Sequence, residues 1–143
     1  MPIFFCIMWH QLPFMTENYP LLKDRVQSTF IDFIFLLVLS FIGAAIIDKF
    51  ENVPDWVRIA LFVFLVIVYE PLFTALGCTV GNYMKGIRVR QYADTTRKIN
   101  IFQALIRYPI KTFLGWLSFI TINSNPQRRA IHDLVAGSVV IKL

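Results

Sequence analysis

The sequence predicts an all-α membrane protein with two transmembrane helices, a third apolar segment that spans or re-enters as a helical pair, and a small cytoplasmic β element. Three observations predict this class. The 143 residues are 57% hydrophobic and only 16% charged, against roughly 45–50% and 25% in soluble domains, and mean hydropathy is +0.60. The apolar residues gather into three runs of about bilayer length. The charges fall mainly in the linkers, whose signs alternate along the chain. This balance excludes disorder and disfavours a water-soluble enzyme. A net charge of +5 on so apolar a chain points to loops facing an anionic leaflet rather than nucleic acid. Cys6 and Cys78 are too few for a disulfide framework or a structural zinc site, and His10 and His132 anchor no ligand cluster. No metal, cofactor or catalytic residue is therefore expected.

The opening stretch from Met1 to Phe14 is apolar, yet it is too short to span and lacks the basic start and cleavage site of a secretory signal. Two readings stay open for the N-terminal segment, residues 1–19: residues 1–14 precede a true start at Met15, or they lie on the membrane surface. The membrane domain is expected over residues 20–143. Its first span is residues 26–47, interrupted in polarity mainly by Asp32, and long enough to cross a core of ~30 Å. A short charged turn with Pro54 leads to the second span, residues 56–76, where Arg58 can reach the interface. The next linker carries Lys85, Arg88, Arg90, Arg97 and Lys98 against Asp94, and Lys23 and Arg25 precede the first span. Both sets place the linker and the N-terminus in the cytoplasm.

The third run, residues 101–122, contains Arg107, Pro109, Lys111 and Gly115, each unfavourable in a plain lipid-facing helix. Beyond it, Ser138–Ile141 is β-branched, and Ile87–Tyr92 begins with apolar/polar alternation, the pattern of a half-buried strand. A lone strand is marginal in water, so the two are expected to pair on the cytoplasmic face. That pairing favours a re-entrant helical pair broken near Pro109 over a third crossing. Trp9, Trp56, Trp116, Tyr69 and Tyr108 read as interfacial anchors or packing residues, and Gly77/Gly81 as a packing or turn feature.

An ionisable side chain at membrane depth costs roughly 2.5–3.5 kcal/mol on insertion scales, so each needs a partner or a purpose. Asp32 lies about six residues beyond Val26, Glu70 about six before Leu76 and Arg107 about six beyond Ile101, which puts all three ~9 Å inside the cytoplasmic end of their segments. Lys111 follows one turn deeper if the helix continues past Pro109. Two acids then face two bases. Arg25, Ser28, Thr29 and Asp32 form one polar stripe on the first helix. Pro71 frees the carbonyl of Ile67 beside Glu70, and a carboxylate at a broken helix is a constellation that transporters use for ions. The same charges also fit a purely structural network.

Arg25 and Asp32, the stretch Gly77-Cys78-Thr79-Val80-Gly81-Asn82-Tyr83-Met84-Lys85-Gly86-Ile87-Arg88-Val89, and the closing Arg129-Ala130-Ile131-His132-Asp133-Leu134-Val135-Ala136-Gly137-Ser138-Val139-Val140 resemble the RDD family of small bacterial membrane proteins. The family is named for one arginine and two aspartates, matched here by Arg25, Asp32 and Asp133, and Arg107 falls where relatives carry an arginine. Asn82 departs from the lysine often found after the second glycine. The resemblance implies a multi-pass protein of the bacterial inner membrane and, as suggested for some members, exchange of monovalent cations for protons. A chain this small is expected to transport only as a homo-oligomer or with a partner membrane subunit in the lipid bilayer. Asp32 and Glu70 are then the ion- or proton-binding candidates, with Arg25, Arg107, Lys111 and Asp133 as the supporting charges. Arg107 would act against burial on the Asp32 carboxyl, and Asp133 would cap or anchor the tail through Arg128 or Arg129. The alternative is a non-transporting accessory or assembly protein.

Overall fold

A computed structural model describes residues 19–143. The readings of Cys6, Trp9, His10, the first apolar stretch and Met15 lie outside the described residues. Helix α1, Leu22–Ile47, and helix α2, Asp55–Leu76, are ~39 and ~33 Å long at 1.5 Å per residue, enough to cross a bilayer core. Almost none of α1's most apolar window is buried and only 17% of α2's, so these are not the core helices of a soluble domain. Phe30, Phe33, Phe41, Ile59 and Phe64 are all exposed, as side chains facing lipid should be. The two helices form a hairpin, and Arg58 in the first turn of α2 reaches across the connection to Asp48 at 2.6 Å.

The chain then packs a small cap against one end of the hairpin. Helix α3, Val80–Met84, is capped by the Thr79 side chain, which accepts from the amide of Asn82. Strand β1, Ile87–Gln91, pairs antiparallel with β2, Ser138–Lys142, with Val89 opposite Val140. The expected strand pair is therefore present. Ile87, Val89, Ile99, Ala104 and Val140 form the apolar core of the cap. Alternation led to an expectation of one open face on β1, but Arg88 and Arg90 are also buried, 5% and 9% exposed. The Arg88 guanidinium lies 5.9 Å from the Tyr83 ring centre and donates to the Ile87 carbonyl, so side-chain stacking covers what the pattern assigns to water.

Helix α4, Ile101–Leu114, begins where Gln103 Oε1 accepts from the Asn100 amide. It is followed by a 3₁₀ helix, Gly115–Ile122, and by α5, Ile131–Ala136. The expected break at Pro109 is not there, since α4 runs through it unbroken. Pro109 lies on an exposed side of the helix, which forfeits one backbone bond there. The direction changes instead at Gly115, whose φ of +53° and ψ of −130° suit a residue without a Cβ. α4 alone spans ~21 Å, short of the bilayer core.

Candidate functional site

The polar groups of the two membrane helices meet the cap in three arrangements. In the first, Asp133 is fully buried, with its Oδ2 2.6 Å from Arg25 Nη1 and its Oδ1 2.8 Å from Arg107 Nε. It also accepts from the Ala130 amide and the Ser138 hydroxyl, so it caps α5 while tying α1 to α4. Burial alone would push its carboxyl up, but Arg25 and Arg107 outweigh this and hold it well below the usual carboxylate range. The Arg128 or Arg129 anchor is thus corrected. Arg128 donates to the Tyr19 carbonyl, and Arg129 to the carbonyls of Ser138 and Asp133 while stacking 3.9 Å from the Tyr92 ring centre. Arg25 and Arg107 win because two charge-assisted bonds offset the cost of burying the carboxylate.

Beside Asp133, His132 is also fully buried. Its Nδ1 lies 2.5 Å from Ser118 Oγ and its Nε2 3.4 Å from Arg107 Nη2. Burial pushes the imidazole down to about 2, so it is neutral in the folded protein. A depressed histidine contributes stability that is complete above its unfolded pKa and lost as pH falls through the folded value. The folded protein is therefore expected to lose up to about 1.4 kcal/mol per pH unit below pH ~6.5, where the unfolded chain takes up a proton that the folded chain refuses. Unfolding midpoints between pH 7.5 and 5 test this, and an unchanged slope in His132→Gln would refute it.

The second arrangement surrounds Asp32. Its Oδ1 accepts from Tyr69 Oη at 3.0 Å and the Gly81 amide at 2.8 Å, and its Oδ2 from Thr79 Oγ1 at 2.6 Å. Tyr69 Oη in turn accepts from the Val80 amide. All these donors are neutral, and Asp32 makes no ion pair among the described residues. The expectation that Arg107 balances Asp32 is overturned, because the guanidinium is committed to Asp133. Tyr69 is correspondingly no interfacial anchor: it is 5% exposed and turned inward by its bond to Asp32. Gly81 permits the arrangement, since a Cβ there would overlap the Ser28 carbonyl and stand 3.0 Å from Asp32 Cγ.

The third arrangement is Lys111 Nζ to Glu70 Oε1 at 2.5 Å, half-buried between α4 and α2. Arg25, Asp32, Glu70, Arg107 and Lys111 all border one polar cavity of about 20 Å³, together with Asn82 and His132. Asp32, Glu70 and Arg107, placed near one another by their positions in the three segments, thus share one cavity, and the unbroken α4 brings Lys111 to it as well. Ile67 does not line this cavity, so the carbonyl freed by Pro71 takes no part. The cavity lining holds three cations (Arg25, Arg107, Lys111) and two carboxylates (Asp32, Glu70), and Asp133, bonded to both arginines outside the lining, makes the cluster three against three. Sequence reasoning did not place Tyr69, Thr79, Ser118 and His132 at the site; the clustering of small and polar residues over 77–82 signalled Thr79 and the His132-Asp133 pair signalled His132, while Tyr69 and Ser118 had no local signal.

A lipid-exposed helical hairpin, closed at one end by a charge-lined cap, defines a small helical membrane protein. The model of the RDD family matches residues 19–137, and the chain belongs to that family. No curated protein and no solved structure matches it.

Proposed function

We propose that this chain is a multi-pass protein of the bacterial inner membrane that exchanges monovalent cations for protons, working as a homo-oligomer or with a partner membrane subunit. The observation that carries the reading is Asp32: a carboxylate 8% exposed, inside a candidate membrane span, bordering a polar cavity and in no ion pair among the described residues. Fixed cations neutralise Glu70 and Asp133. No fixed cation is bonded to Asp32, so its carboxylate is the one on which a proton or a monovalent cation can be exchanged. Glu70 and Lys111 form the opposite wall and set the local field. The N-terminus and the linker are cytoplasmic by their basic residues. The pairing of β1 with β2 supports a C-terminus on that same side, so that α4 and the 3₁₀ helix enter and leave through one leaflet.

The test is proton movement in proteoliposomes with a trapped pH-sensitive dye, pulsed with sodium, lithium or potassium. Wild-type protein is expected to give a cation-dependent signal that Asp32→Asn lowers to the level of empty vesicles while the variant still purifies folded. A folded Asp32→Asn protein with undiminished exchange would defeat the assignment.

One observation favours the accessory reading. Both Asp32 oxygens are already used, fastening α3 to α1 and α2 through Gly81, Thr79 and Tyr69. Under that reading Asp32→Asn lowers thermal stability and wild-type vesicles show no exchange.

A further inference from the structure

Arg25 is a buried cation that its ion pair satisfies only in part. It is 4% exposed, and its Nη1 is bound to Asp133, yet its Nε and Nη2 are buried without a hydrogen-bond partner. Leaving charged donors unmet in a low-dielectric site is costly, and such a group in a native structure calls for a ligand or solvent. Arg25 borders the cavity of about 20 Å³, which has room for roughly one water-sized species. That size rejects phosphate, a lipid headgroup or a carboxylate. It accepts a single water or a monoatomic anion.

Charge decides between them. With Asp32 ionised, the three cations and three carboxylates around the cavity balance, and an added anion would leave an uncompensated negative charge. Once Asp32 carries a proton or a cation, the same cluster holds one excess positive charge, and Arg25, which borders the cavity, has two unpaired donors, Nε and Nη2. We propose that Arg25 forms a halide site, filled by a chloride-sized anion when the charge of Asp32 is neutralised. The dependence on a cation rests on the exchange reading above; the site itself does not.

The two are separated by thermal unfolding of the purified full-length protein in detergent, with chloride compared with gluconate at constant ionic strength, and sodium compared with choline. Asp32→Asn neutralises the carboxylate permanently. In this variant chloride is expected to raise Tm over gluconate by roughly 2–4 °C in sodium and in choline alike. The gain should vanish on adding Arg25→Lys, which keeps a cation for Asp133 but removes Nε and Nη2. Broadening of the chloride-35 resonance, reversed by bromide, gives a second readout on Asp32→Asn alone should the double variant fail to fold. Equal Tm in both salts with no broadening would overturn the site and leave Arg25 to water. In wild type the chloride gain is expected only with sodium. A gain that ignores sodium would remove the link to a cation on Asp32 and leave the halide site standing.

Discussion

Asp133→Asn is expected to cost about 3–5 kcal/mol of folding stability, the usual consequence of removing one partner from a buried ion pair. The amide has the size of the carboxylate and none of its charge, so Arg25 and Arg107 are left facing each other across a fully buried site. Three elements then lose their common tie: α1 through Arg25, α4 through Arg107, and α5 through the amide of Ala130, which Asp133 caps. Equilibrium unfolding in mixed detergent and denaturant should show the loss without a change of fold in the two lipid-exposed helices. A variant within about 1 kcal/mol of wild type would show that the two arginines are satisfied from elsewhere. Acid acts in the same direction. The Asp133 carboxyl is held below its usual range, so its contribution is complete above the ordinary aspartate pKa near 3.9 and declines as pH falls below that.

Gly81→Ala is expected to be the most damaging single-methyl change in the chain. The new Cβ would overlap the Ser28 carbonyl, a backbone atom inside α1 that cannot rotate away. Either α3 moves off α1 or α1 bends, and both break the 2.8 Å bond from the Gly81 amide to Asp32. Overpacking of this kind costs roughly 1–3 kcal/mol, and the lost bond to a charged group adds to it. Gly43→Ala is the matched control, because its Cβ would meet only the Cδ2 of Leu61, at 2.7 Å, at the flexible end of a side chain. The expected order is a large fall in Tm for Gly81→Ala and a small one for Gly43→Ala. Equal effects would mean that the contact between α3 and α1 is loose.

The two lipid-facing helices and the strand pair were legible because each depends on a local pattern: a run of apolar residues matched to bilayer thickness, and short β-branched segments that need each other. The meeting of Asp32, Glu70 and Arg107 was legible too, since helical rise converts sequence position into distance along each segment. Pro109 shows where local reasoning fails. A proline marks a possible break, but whether the helix tolerates it depends on which side it faces, and here that side is open. Of the two readings open for Tyr69, the structure takes the packing one, since the ring lies against Phe35 and Phe73 while its hydroxyl reaches a buried carboxylate.

By itself, then, the sequence determined that this is a membrane protein, where its helical hairpin lies, and which charged residues sit too deep to be casual. Only the tertiary structure decided the pairing. Arg25 and Arg107 close on Asp133, more than one hundred residues from Arg25, while Asp32 is left to a tyrosine, a threonine and a glycine amide. The reason is physical. Hydropathy and helical period act over neighbouring residues, whereas the choice among several equally charged partners is made by which backbones approach closely enough, and that is set by a glycine at position 81, a turn at Gly115 and a strand formed from the two ends of the cap.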